Sequence, residues 1–153
     1  MREEIEIVKP ESIVTENGIY GFFGEYRFLS NFHLAEVKLD GRTYPATENA
    51  YMAAKTLDQN LRDKFASIKP NEARRLGQTI ELRSDWEDIK YSVMLGVNLY
   101  KYTHHKDLLV LLKNTAPKYL EETNYWGDKY WGVCKNEGQN NLGKVLMTIR
   151  DAL

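Results

Sequence analysis

The chain has 153 residues, a net charge of −1 and one cysteine; 42% of it is hydrophobic and 28% charged. That is enough for one domain with a real core, too apolar for a disordered chain, and without an apolar run long enough to span a membrane. The near-zero charge gives no electrostatic sign of an extended nucleic-acid surface, and lone Cys134 allows no internal disulfide, in keeping with a reducing compartment.

Residues 1–18 read as a loosely patterned arm, with a short strand expected at Ile5 to Val8. The opening MREEIEIVKP lacks the apolar region of a secretory signal, so a cytoplasmic location is the expectation. Ile19 to Phe23 reads as a first core strand. GEYRFLSNF, residues 24–32, is too irregular for a strand interior and reads as a loop pinned by Leu29 and Phe32. Ser30 and Asn31 then either present a hydroxyl and an amide to a ligand or form an ordinary Asx-type turn.

Glu36 to Leu39, Asp40-Gly41 and Arg42 to Tyr44 form a hairpin pattern with a strong turn signal. It leads into TYPATENAYMAAK, residues 43–55, where Thr47 is expected to cap a helix running from Glu48 towards Lys55. Those two charges are seven residues apart, so they share a helix face about 10 Å apart along the axis. With Tyr51 between them they could flank a small molecule, or simply be a solvated pair on an amphipathic helix. Between Lys55 and Arg75, six basic residues (Lys55, Arg62, Lys64, Lys69, Arg74, Arg75) outnumber three acidic ones. This excess suits a phosphate-facing surface or a solvated helix face.

Leu61 to Ile68 reads as a second helix and PNEARRLG as a third, with Pro70 as its first residue and Gly77 closing it. Asp85 to His104 is the longest periodic segment. Its stripe of Trp86, Ile89, Val93, Val97 and Tyr100 is expected to be buried. His104 and His105 are adjacent and point apart on a helix, and no cluster of ligands signals a metal. Lys106 to Lys113 is a further short helix, and Lys118 to Glu122 another strand. Residues 124–143, NYWGDKYWGVCKNEGQNNLG, make a connection long enough to suggest function. Asn140 is placed to cap a last helix with the stripe Leu142, Val145, Leu146, Ile149 and Leu153. The sum is a single domain over 1–153, α+β and predominantly helical, with about six helices and four or five short strands.

Three fragments in register, LSNF at 29–32, YPATENAYMAAK at 44–55, and Asp128-x-x-Trp131-Gly132 followed by GQNNLGKVLMTIR, resemble the NADAR family of YbiA-like proteins. The resemblance runs from about Phe22 to the C-terminus. It places family positions on Ser30, Asn31, Phe32, Glu48, Lys55, Asp128, Trp131, Gly132, Asn140, Leu142 and Gly143, and leaves Trp126-Gly127 as a look-alike of the Trp-Gly motif. Asn49 and Met52 stand where the family often has His and Gln, and the loop before Asn140 is one residue short of the family pattern.

The resemblance implies an N-glycosidase that cleaves a ribose C1–N bond. Two substrate classes follow from it: phosphoribosylamino-pyrimidine intermediates of riboflavin synthesis, or ADP-ribose carried on guanine of nucleic acid. The implied partner is therefore a nucleotide-like small molecule or ADP-ribosylated DNA, with no metal or organic cofactor. Such cleavage passes through an oxocarbenium-like state that needs negative charge or a nucleophile at C1 and a proton for the nitrogen. Glu48 is assigned acid–base chemistry and Asp128 charge stabilisation or orientation of the ribose. Lys55 is a candidate for Schiff-base capture of a ring-opened C1, or a point charge for phosphate. Tyr51 and Trp131 are expected to contact substrate, Trp131 stacking the base, while Asn140 and its helix start would hold a phosphate. The alternative is a non-catalytic module that binds ADP-ribose or a similar nucleotide and has no need of Glu48.

Overall fold

The computed structural model describes residues 10–153; the strand expected at Ile5 to Val8 lies outside them. Strands β1 (Ile13–Val14) and β2 (Gly18–Tyr20) pair antiparallel, and β5 (Tyr119–Glu121) joins β2 in parallel. The core strand is shorter than expected because Gly21, at φ +87°, turns the chain out of the sheet directly after Tyr20.

A 3-10 helix over Gly24–Leu29 replaces the expected loop and buries Phe28 and Leu29. The hairpin is as read: β3 (Val37–Leu39) pairs with β4 (Arg42–Tyr44), and Asp40 and Gly41 both take positive φ at the turn.

Helix α1 (Thr47–Ala54) is the centre of the molecule, with all eight residues buried. The solvated alternative therefore fails for Glu48, while Lys55, at the C-cap, is half-buried. Thr47 is not the cap but the first helical residue; the cap position is Ala46, which makes no side-chain bond. The Thr47 hydroxyl instead donates to the backbone and side-chain oxygens of Asn31, at 3.1 and 3.0 Å. Ala50 and Ala53 have no exposed surface and let α2 (Gln59–Ser67), α3 (Pro70–Gly77) and α4 (Trp86–His104) pack around α1. Asn49 spans from α1 to the end of α2, donating to the carbonyls of Phe65 and Ile68.

The buried face of α4 differs from the expected stripe. Trp86, Met94, Val97, Asn98, Lys101 and Tyr102 are buried, while Ile89, Val93 and Tyr100 are only partly so. The face is rotated because α4 meets polar backbone. Lys101 and Asn98 bond the segment 28–31, satisfying groups that a hydrophobic pattern cannot register.

Helix α5 (Lys106–Asn114) follows. Strands β6 (Thr123–Asn124) and β7 (Val133–Cys134) form a small parallel pair that ties the start of the long connection to its middle. Helix α6 (Asn141–Ala152) packs Leu142, Val145, Leu146 and Ile149 inward, but Leu153 lies past its end and is exposed. The fold is α+β and mainly helical, with small sheets. Cys134 is a buried free thiol. Among the described residues no helix is long and apolar enough to cross a membrane.

Candidate active site

A cavity of about 300 Å³ opens where α1 meets the Ser30-Asn31-Phe32 turn, α3 and the 122–131 segment. Glu48, Tyr51 and Met52 of α1, with Lys55 at its C-cap, line one side. The spacing that put Glu48 and Lys55 on one helix face thus aims both into one space. Ser30, Asn31, Phe32, Asp128 and Trp131 line it as well. Eight of the ten expected site residues are brought together.

The turn is held from behind. Asn31 accepts from the Glu48 amide and from Thr47 through its backbone oxygen, and its side-chain amide points at Met94 sulfur, 3.3 Å away. Its polar groups are largely consumed in fixing the start of α1. Ser30 likewise uses its hydroxyl to accept from the Phe32 amide, the local turn that was one of the two readings of this segment.

Gly132 and Asn140 are not on the cavity. A Cβ at residue 132 would come within 2.2 Å of the Glu122 carbonyl, so glycine there lets two backbone segments touch. Asn140 occupies the cap position of α6 in a left-handed conformation, φ +54°, and makes no side-chain cap bond. Its amide donates to Leu120 O and Tyr119 Oη, and its oxygen accepts from the Glu122 amide, all at 2.9 Å. Both residues serve the placement of Glu122.

Glu122 itself and Trp126 are what sequence reasoning missed, and Arg74 figures there only in the basic excess between Lys55 and Arg75. All three line the cavity. Glu122 follows β5 directly, and nothing distinguishes it in sequence from exposed-looking neighbours. Arg74 had a usable signal, since it lies four residues from buried Pro70 and three from buried Gly77 on one face of α3. Trp126, set aside as a look-alike, carries the Arg74 guanidinium 5.3 Å over its ring centre.

The electrostatics centre on three carboxyls. Burial pushes Glu48 up to about 7; Lys55 and Arg74 pull it back, and Asp128 pushes it further up. Burial likewise pushes Glu122 up to about 8, reinforced by Asp128 and Glu48 and opposed by Arg27 and Arg74. Its Oε2 is buried with no partner among the described residues. Asp128 spends Oδ1 on the amides of Tyr130 and Trp131, at 3.1 and 2.9 Å, which shapes the aromatic loop. Burial lowers the Lys55 amine, against the attraction of Glu48, and Lys90 lowers it further. Its best hydrogen bond is a long one, 3.5 Å to Gly77 O.

The indole Nε1 of Trp131 donates to the Tyr51 hydroxyl at 3.1 Å, and the two rings meet edge to face. Trp131 is also stacked on Tyr91, which presets it as a rigid wall. Met52, in place of a polar side chain, fills the space against Gly77, where a Cβ would meet its sulfur at 2.3 Å. Among the described residues no three His, Cys, Asp or Glu side chains are grouped as a metal site.

The NADAR domain family matches residues 18–153. The chain belongs to the NADAR family. N-glycosidase YbiA of Shigella flexneri is 35% identical over 99% of the chain and 94% of its own length, and that of Escherichia coli is 34% identical over the same shares. An N-glycosidase of Nostoc punctiforme is 30% identical over 88% of the chain and 90% of its own length. The riboflavin biosynthesis protein PYRR of Zea mays is 31% identical over 99% of the chain, which spans only 28% of that protein. The NMR structure of E. coli YbiA superposes with a TM-score of 0.79 at 33% identity, covering 92% of this chain and 86% of that one. The NADAR resemblance seen in three sequence fragments thus extends through the whole fold.

Proposed function

We propose that this NADAR protein is an N-glycosidase that hydrolyses the ribose C1–N bond of a nucleotide-like substrate. The observation that carries the reading is the pair Glu48 and Glu122, two carboxyls held protonated into the neutral range at one aromatic-walled cavity that also contains Lys55. Titratable groups displaced this way within a cavity are suited to acid–base chemistry at physiological pH.

In the proposed reaction Glu122, the weaker acid, protonates the departing nitrogen as the C1–N electron pair moves onto it. Glu48 in its ionised form takes a proton from the water that adds to C1. The charge on Asp128, next to the developing cation, stabilises it, and Trp131 or Trp126 supports the base. Lys55 supplies a second route, in which its unprotonated amine captures the ring-opened C1 as a Schiff base that water then hydrolyses. The lowered basicity of its buried amine supports this.

Between the two substrate classes, the relatives named for riboflavin biosynthesis favour a phosphoribosylamino-pyrimidine. Removal of ADP-ribose from guanine is the second class. The test runs wild type and Glu48→Gln on both substrates, with products read by mass spectrometry. Release of the free base from the pyrimidine riboside, lost in the variant, supports the reading. Cleavage confined to ADP-ribosylated DNA transfers it to the second substrate. If neither is cut while ADP-ribose still binds, the enzyme reading fails and a nucleotide-binding module remains.

A further inference from the structure

A second cavity, of about 240 Å³, adjoins the first. Ser30, Phe32, Arg74, Glu122 and Trp126 line both, forming a common wall with Glu122 in it. On the far side the lining is aromatic (Phe22, Phe23 and Tyr125) with a second guanidinium from Arg27. Nothing in the proposed hydrolysis uses this space.

Its cations are arranged for an anion. Arg27 lies over the Phe32 ring, 5.7 Å from its centre, as Arg74 lies over Trp126 at 5.3 Å. A guanidinium stacked by its face keeps its N–H edge for a ligand, in the geometry that matches phosphate. Among the described residues neither arginine is in a salt bridge, whereas Arg42, Arg62 and Arg83 each are. The first cavity sets two cations, Lys55 and Arg74, against three carboxyls, whereas the second sets two arginines against Glu122 alone. That balance favours the second cavity for the phosphate of a nucleotide whose C1 lies at Glu48 and Glu122.

We propose that the second cavity is the phosphate subsite of the substrate, with Arg27 and Arg74 as its ligands and aromatic walls beyond them for whatever the phosphate carries. This rests on the N-glycosidase reading for the direction of the substrate. An anion placed there also offsets the pull of both arginines on Glu122, and so helps that carboxyl keep the proton it has to donate.

Binding tests the subsite independently of turnover. Ribose, ribose 5-phosphate and ADP-ribose are titrated calorimetrically into wild type, Arg27→Ala, Arg27→Lys and Glu48→Gln, each checked for folding by circular dichroism. Wild type and Glu48→Gln should prefer ribose 5-phosphate to ribose by about 10- to 100-fold, the range of a charged hydrogen-bonded pair. Arg27→Ala should lose that preference, and Arg27→Lys should recover part of it. Loss on ribose 5-phosphate places a terminal phosphate ester in the cavity; loss on ADP-ribose alone places a bridging diphosphate there. Equal binding of ribose and both phosphorylated ligands to wild type, or a preference unchanged in Arg27→Ala, overturns the proposal. A wild type that cleaves no riboside yet shows Arg27-dependent phosphate binding overturns the hydrolase reading and not the subsite.

Discussion

The Nζ of Lys101 donates to the carbonyl of Ser30 at 3.1 Å and to that of Phe28 at 2.6 Å, from a side chain with no exposed surface. A lysine on α4 thus sets the height of the Ser30-Asn31-Phe32 turn, which in turn fixes the first residues of α1 and the place of Glu48. Burial pulls the Lys101 amine down to about 7. Its folded form therefore binds fewer protons than the unfolded chain between about pH 7 and 10.5, so its contribution to stability rises with pH across that window.

Replacing Lys101 with Met removes both bonds and leaves the Ser30 carbonyl with the His33 amide alone and that of Phe28 with the Tyr102 hydroxyl. The expected loss is about 1–3 kcal/mol at pH 9, with a smaller gap to wild type at pH 6.5. Guanidinium unfolding at the two pH values measures it. A gap that does not change with pH would mean that Lys101 is not buried uncharged.

Glu122 has the opposite sign. A carboxyl raised to about 8 holds its proton in the folded state, and the cost of ionising it grows as pH rises from about 4.5 to 8. Glu122→Gln should therefore melt with wild type at pH 4.5 and be the more stable protein at pH 9, by roughly 1–2 kcal/mol. In turnover the variant should lose about 100-fold or more in kcat. Wild-type activity should peak between about pH 7 and 8, with limbs that belong to the Glu48–Glu122 pair together. A plateau extending well above pH 9 counts against Glu122 as the acid.

Lys55 is tested by trapping. Turnover in the presence of cyanoborohydride should leave a ribosyl adduct on the peptide containing Lys55, visible by mass spectrometry and absent from Lys55→Arg. Full activity of Lys55→Arg with no wild-type adduct would reduce Lys55 to a positive charge.

Asn140 gives a separate handle on Glu122. Glycine accepts its left-handed backbone, so Asn140→Gly isolates the three side-chain bonds to Tyr119, Leu120 and Glu122. The expected cost is about 2–3 kcal/mol, with a fall in kcat through the loosened Glu122. A variant unstable yet fully active in its folded fraction would show that Glu122 needs no such support.

Much of the site could be read before the fold was known. Glu48, Tyr51 and Lys55 are on one helix, where spacing alone sets direction, and the Asp40-Gly41 turn and Pro70 start need only local backbone preferences. Asn140 was only half legible for a related reason: it does hold the cap position of α6, but its side chain is taken by a strand that arrives 20 residues earlier in the chain. Glu122 was illegible because its environment is made by segments distant in sequence. Nothing local marks a carboxyl as buried.

The sequence by itself determined the helices, the hairpin, the α+β class and the shared face of Glu48 and Lys55, because each depends on neighbours within a few turns of chain. Only the tertiary structure decided which carboxyls lose their water, which way α4 turns its polar side chains, and that Arg27 and Arg74 meet across a second cavity. Desolvation and charge proximity are properties of the space between elements, and that space exists only once α1, α3, α4 and the 122–131 segment have closed around it.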